Sequence, residues 1–506
     1  MKIALDLKPE RPAAAAAANG QGCHGGRETM LEAARAAGKS ETLDKLAADY
    51  PRGPHDQPQS MCPAFGSLRV GLRMRRTATI LSGSACCVYG LTFTSHFYGA
   101  RRTVGYVPFD SETLVTGQLF EDIRNAVFET AKPDLYDAVV IINLCVPTAS
   151  GVPLDLLPKE IEGVRIIGID VPGFGVPTHA EAKDVLAGAM LRYARREAEA
   201  GPVQRPREAG ELPTVALIGE LFPADPVGVA ALLAPMGLGV APQLPSREWR
   251  DLYAALDCRV AAAVHPFYVA SIREFQAAGR PVVGSGPVGV EGTAGWLEAI
   301  GKAAGVKPGA IEAAKAKVLP AIQGALDASP VDARVTVSGY EGSELLVARL
   351  LVEAGAEVPY VGTACPRTEW SDPDREWLEA HGTHVQYRAS LEQDVAAMRD
   401  AKPDLAIGTT PLVQEAKAAG TPAIYFTNMV SARPLFGPAG AGALAGIVAA
   451  QTRGRERFAR MVDFFGPVGA GKAAGYGWSG VPEVRVKKKP VRVAAAGDGV
   501  PGAVGT

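Results

Sequence analysis

The sequence predicts an α/β protein of three consecutive strand–helix units with parallel sheets, between an N-terminal arm and a C-terminal tail. Three observations lead there. Short apolar runs alternate with segments of helical length, and the alternation restarts twice along the chain. The 506 residues suffice for three domains of ordinary size and for a large core without covalent staples. Gly (57) and Pro (39) are abundant, as many tight loops require.

Residues 1–60 read as an arm, with helix-forming sequence over 28–50 and flanks marked by Pro51, Pro54 and Pro58. The first unit, 61–205, has strands at 77–81, 138–144 and 164–169. A helix fits 114–130, where Leu119, Ile123 and Val127 recur every fourth residue. Another fits 180–200, with Arg192, Arg195 and Arg196 in the C-terminal half that favours positive charge. Residues 201–207 read as a linker. The second unit, 206–330, has strands at 214–218, 259–264 and 281–283. Its helices fall near 226–235, 246–257 and 267–278, with two more across 294–327. The third unit, 331–450, has strands at 333–337, 357–361, 384–387, 404–408 and 422–426. Its helices fall near 341–354, 372–380, 390–400 and 412–419. Residues 451–506 hold a basic amphipathic stretch and a Gly-rich tail with Lys487, Lys488 and Lys489.

A net charge of −2 gives no general attraction to nucleic acid or to anionic membrane. The charged start, Met1-Lys2-Ile3-Ala4-Leu5-Asp6, lacks the apolar core of a signal peptide, and no run is apolar enough to span a bilayer. Seven cysteines are odd in number and too sparse for a disulfide framework. The expectation is a reducing cytoplasm, where cysteines with a role bind metal or react.

Cys62, Cys87 and Cys145 carry the strongest chemical signal. Each neighbours turn-forming residues, and Cys87 and Cys145 follow expected strands, at the sheet edge where α/β proteins bind ligands. Cys86 and Cys87 are expected in a Gly/Ser-rich loop, Ser82-Gly83-Ser84-Ala85-Cys86-Cys87. A free cysteine is also a small buried hydrophobe, a reading that suits Cys258 and, in a flexible arm, Cys23. No CxxC pair occurs, which excludes local zinc motifs. Spacing alone leaves an iron–sulfur site and incidental cysteines both open.

Other matches are decoys. Gly284-Ser285-Gly286-Pro287-Val288-Gly289 fits GxGxxG, but Pro287 and the missing acidic residue downstream make it a tight turn. Gly466 to Ala473 resembles a P-loop but has Ala473 where a hydroxyl should hold Mg²⁺. Cys365 with His381 and His384 is an incomplete ligand set. His265, Glu341 and Asp372 stand at expected strand ends, and none is singled out as a catalytic acid.

The runs Met61-Cys62-Pro63-Ala64-Phe65-Gly66, Ser82 to Gly90 and His96-Phe97-Tyr98-Gly99-Ala100-Arg101-Arg102 resemble the Y-type subunits of the nitrogenase-like chlorophyllide a reductases. Gly105-Tyr106-Val107-Pro108-Phe109 and Ser111-Glu112-Thr113-Leu114 continue the match, which spans essentially the whole chain and is densest over 60–180. The resemblance implies three Rossmann-like domains of the nitrogenase component 1 kind. It implies a Z-type partner in a Y2Z2 heterotetramer, and transient docking of a separate ATP-dependent iron–sulfur X protein dimer that binds the ATP. The implied reaction is reduction of the C7=C8 bond of ring B of chlorophyllide a, in bacteriochlorophyll synthesis. That makes an oxidoreductase acting on CH–CH groups with an iron–sulfur protein as donor. The implied cofactor is a [4Fe–4S] cluster shared between subunits, held here by Cys62, Cys87 and Cys145, with the fourth ligand from the partner. Cys86 is the fallback for Cys87, which stands four residues after Gly83 as the family's loop requires. The alternatives are a light-independent protochlorophyllide reductase subunit and a non-enzymatic scaffold for metallocofactor assembly.

Overall fold

The computed structural model describes residues 62–97, 104–203 and 211–469. The arm with Cys23, part of the expected linker and the lysine-bearing tail lie outside these residues. Three sheets of five, four and five strands follow one another along the chain, within a compact unit that ends at Arg455. The first holds β1 (Thr77–Ser82), β2 (Val104–Val107), β3 (Ala138–Asn143), β4 (Glu160–Ile161) and β5 (Val164–Asp170), in the order β2-β1-β3-β5-β4. The second holds β6 (Thr214–Ile218), β7 (Gly239–Val240), β8 (Val260–Ala263) and β9 (Val282–Gly284), in the order β7-β6-β8-β9. The third holds β10 (Arg334–Gly339), β11 (Glu357–Thr363), β12 (His384–Tyr387), β13 (Leu405–Gly408) and β14 (Ala423–Tyr425), in the order β12-β11-β10-β13-β14. Every pairing is parallel except β4 with β5, a hairpin turning through Glu162 and Gly163, both at positive φ.

The apolar runs become strands because helices cover both faces of the sheet. In β3, Val140 and Ile142 join a core with α1 (Ala64–Arg73), while Val139 and Ile141 face the other way. The helices between β1 and β3 are α2 (Ala85–Phe97), α3 (Ser111–Val115) and α4 (Gln118–Thr130). Leu119, Ile123 and Val127 of α4 fill that second core. Burying each such side chain contributes roughly 1.5–3 kcal/mol. The single helix expected over 114–130 is two, broken at Gly117, whose φ of 75° suits glycine.

Two helices at the site lie where none is expected. α1 is amphipathic, with Phe65, Leu68 and Leu72 on its buried face and Arg69 and Arg73 on its partly exposed one, but it follows Pro63 and carries two glycines. Its Gly66 lets α1 close on α6 (His179–Ala200), since a Cβ there would lie 1.7 Å from the His179 carbonyl oxygen. α2 begins at Ala85, so the Gly/Ser loop expected to hold Cys86 and Cys87 shrinks to Gly83 and Ser84. Both cysteines stand in the first turn of a helix. Tertiary contacts override weak local preference in both places.

α5 (Cys145–Ala149) follows β3. The second sheet carries α7 (Asp225–Leu233), α8 (Trp249–Leu256), α9 (Val269–Ala277), α10 (Val290–Ala304) and α11 (Pro308–Asp327). The third carries α12 (Glu344–Glu353), α13 (Asp372–Ala380), α14 (Leu391–Ala401), α15 (Thr410–Ala418), α16 (Phe426–Ser431) and α17 (Gly437–Arg453), before α18 (Arg455–Gly469). In each sheet the strand order reverses beside the first strand. That switch point opens a crevice at the carboxyl edge. It lies between β1 and β3 in the first sheet, β6 and β8 in the second, and β10 and β13 in the third.

Candidate functional site

The switch point of the first sheet gathers the three cysteines. β1 and β3 run in register, with Ser82 opposite Asn143, and the Leu144 N–H donates to the Ser82 carbonyl at 2.8 Å. The chain leaves β1 through Gly83 and Ser84 into α2, whose first turn holds Cys87. It leaves β3 directly into α5, whose first residue is Cys145. Gly83 permits the close approach, because a Cβ there would lie 2.4 Å from Leu144 Cδ1. Cys62 arrives from the other side. α1 runs back toward β1 through a short turn, so its N-terminus, with Cys62 just before it, returns to the carboxyl edge.

Electrostatics reports the convergence. Burial pushes the Cys62 thiol up to about 11, and the nearby Cys145 and Cys87 sulfurs push the same way. Burial also raises Cys87, with Cys86 and Cys145 adding to it. A cation among the thiols would relieve this mutual repulsion. Donors already face the sulfurs. The Gly173 N–H, in the turn after β5, donates to Cys145 Sγ at 3.1 Å, and the Ser84 hydroxyl donates to Cys87 Sγ at 3.1 Å. A backbone hydrogen bond from Ala64 favours the Cys62 thiolate. Beneath them, Ser82 Oγ and Asn143 Oδ1 are buried without a hydrogen-bond partner among the described residues.

Apolar side chains close by in the chain are exposed. Tyr89 (73% exposed) and Phe93 (62%) stack with ring centroids 6.3 Å apart on the face of α2 that carries Cys86. Val146 and Phe174, each next to a residue of the Cys145–Gly173 hydrogen bond, are exposed as well. Among the described residues no three His, Cys, Asp or Glu close around a single ion. An iron–sulfur cluster places its thiolates on separate irons and does not need three of them to close around one ion.

The family model for nitrogenase component 1 type oxidoreductases matches residues 62–452, beginning on Cys62. The chain belongs to that family. It is 66% identical over 465 residues to the chlorophyllide reductase 52.5 kDa chain of Cereibacter sphaeroides, covering 92% of each. The counterpart from Rhodobacter capsulatus is 65% identical over 92% of this chain and 93% of that relative. One subunit of the light-independent protochlorophyllide reductase of Rhodospirillum rubrum is 26% identical, over 71% of this chain and 68% of the relative. Among solved structures, "Nitrogenase Cp1 at pH 6.5" superposes with a TM-score of 0.62 at 17% identity, over 79% of this chain and 93% of that one. The resemblance carried by the cysteine runs is borne out, as is the nitrogenase component 1 fold.

The remaining candidates sort themselves on this fold. Cys258 is buried and its thiol is pushed up to about 12, so it is a core residue. Cys365 is buried while His381 and His384 are exposed, and they form no ligand set. The GxGxxG run does precede a helix N-terminus, but the Glu353 carboxylate already accepts from the N–H groups of Val290, Glu291 (3.1 Å) and Gly292 (3.3 Å). An internal carboxylate thus holds the place of a phosphate. Residues Gly466–Gly469 of the P-loop look-alike are helical.

Of the three strand-end candidates, His265 and Glu341 come together and Asp372 does not. Asp372 pairs with Arg367 and Arg375 at the surface. Glu341 meets Lys183 (3.5 Å) and His179 (3.6 Å) of α6, and Lys183 also pairs with Glu220 after β6. Arg69 of α1 reaches Glu220 at 2.7 Å. Burial pushes Glu220 and Glu341 up, yet the cations, Lys183 foremost, hold both below the usual carboxylate range. Burial lowers His179 and His265 to about 4, so both are neutral at pH 7. Ser84, Gly173 and Lys183 carried no motif. Ser84 and Gly173 could have been found only as the residues that leave a strand at the carboxyl edge.

Proposed function

We propose that this chain is a subunit of the catalytic component of a chlorophyllide a reductase, and that Cys62, Cys87 and Cys145 hold a [4Fe–4S] cluster completed by one ligand from a partner chain. The convergence of three thiols at one switch point is the observation that carries the reading. When bound, such a cluster takes up and passes on electrons singly. The chain's own residues would do the rest. The three thiolates position the irons, the Gly173 and Ser84 donors stabilise negative charge on the sulfurs, and Tyr89 and Phe93 give a Z-type partner an apolar face to exclude water. The electron donor is a separate ATP-dependent iron–sulfur protein of the X type. The bond reduced is C7=C8 of ring B, with two electrons and two protons consumed per turnover.

The substrate assignment rests on the 66% identity to a chlorophyllide reductase chain, against 26% to the protochlorophyllide reductase subunit. The test is an anaerobic assay of the complex with the X-type protein, ATP, reductant and chlorophyllide a. A long-wavelength absorption band that moves further to the red supports the proposal. A cluster-bearing complex that never alters the pigment spectrum favours the assembly-scaffold reading instead.

A further inference from the structure

We infer that Ser84 is a positioning residue linking Cys86 to the Cys87 sulfur in a hydrogen-bond relay, and that Cys86 serves the cluster without ligating it. The inference rests on the cluster reading above.

Ser84 Oγ lies 3.1 Å from Cys87 Sγ, to which it donates, and 3.2 Å from Cys86 Sγ. A hydroxyl has one proton to give and two lone pairs to offer. With its proton committed to Cys87, it can only accept from Cys86. The order is therefore Cys86 S–H to Ser84 Oγ, and Ser84 O–H to Cys87 Sγ. A metal-bound thiolate only accepts, so ligation of Cys87 fixes this direction. The two neighbours have different settings. Cys87 is in electrostatic range of both Cys62 and Cys145, whereas the exposed Cys86 has Ser84 and Cys87 as its leading partners. Ser84 also stands just before α2, where a serine hydroxyl ordinarily accepts from backbone N–H groups of the first turn. Here it is aimed at sulfur.

Such a relay favours the more negatively charged, reduced cluster, because donors to a ligand sulfur stabilise added charge. Ser84 would thus set how readily the site accepts an electron.

The test is potentiometric titration, read by EPR, of the anaerobically purified complex with its partner subunit. Ser84→Ala is expected to keep its iron while losing about tenfold in electron affinity, or about 59 mV for a one-electron couple. Ser84→Thr is expected to restore the wild-type potential. Cys86→Ala is expected to keep its iron and shift in the same direction by less. A Ser84→Ala complex titrating at the wild-type potential overturns the relay, and so does a Cys86→Ala complex that loses its iron. A wild-type complex with no iron–sulfur signal overturns the cluster reading itself, and the relay with it.

Discussion

Cys62, Cys87 and Cys145 share a chemistry but not a setting. Cys62 is half-buried at the start of a core helix, Cys87 is exposed in a helical turn, and Cys145 is held by a backbone N–H. That asymmetry suits a site entered from one side and backed by protein on the other. The thiols were legible in the sequence because cysteines that follow strands stand out. Their donors were not, because a lone serine or a turn glycine carries no pattern. His265 shows the same limit, since its burial is decided by Gly219, whose Cβ would lie 2.8 Å from the ring. His265 faces Lys183, Glu341 and Glu220, and stays neutral down to about pH 4, against about 6.5 when unfolded. Between those values the unfolded chain binds a proton that the folded chain does not, so stability falls as pH drops from 6.5 to 4. The term amounts to about 3 kcal/mol. Thermal midpoints of wild type and His265→Gln should therefore converge over that range. Parallel curves would show that the imidazole is not held neutral.

Among the elements, the longer central strands and most amphipathic helices were legible; the short strands β2, β4 and β7 and the helices that build the site were not. β3 and α4 announce themselves by apolar runs and fourfold spacing. α1 is less plain, because only Arg69 and Arg73 mark its polar side and it contains Gly66 and Gly71, which are poor helix formers. Those glycines are the price of close packing rather than a sign of a loop. Gly66→Ala would drive a methyl group into the backbone of α6, which cannot yield as a side chain can. The expected cost is about 1–3 kcal/mol. Because α1 carries Cys62 at its head, the expected result is a lower melting temperature together with reduced iron per chain. Full iron content with an unchanged melting temperature would show that α1 and α6 have room to part.

At the scale of the whole molecule, the threefold alternation was legible and the joints between sheets were not, since they link residues far apart in sequence. Glu181 takes both guanidinium nitrogens of Arg388 at 2.7 and 2.8 Å, and Lys183 bridges Glu220 and Glu341 from a side chain only 3% exposed. These ties join α6 to the loops after β6, β10 and β12. Removing one partner of a buried pair costs about 3–5 kcal/mol, and Arg69, still on Glu220, should keep Lys183→Met near the lower figure. Its melting temperature should fall, and adding Glu341→Gln should recover part of the loss. No recovery would mean that Glu341 finds another cation. The central claim is that three thiols of this chain and one ligand of a partner hold a single cluster. The direct measurement is iron, acid-labile sulfide and EPR on the anaerobically purified complex and on its Cys62→Ala, Cys87→Ala and Cys145→Ala forms. The account predicts about one [4Fe–4S] per pair of chains in the wild type and its loss or collapse in each variant. A Cys87→Ala complex that retains a full, unaltered cluster would contradict it.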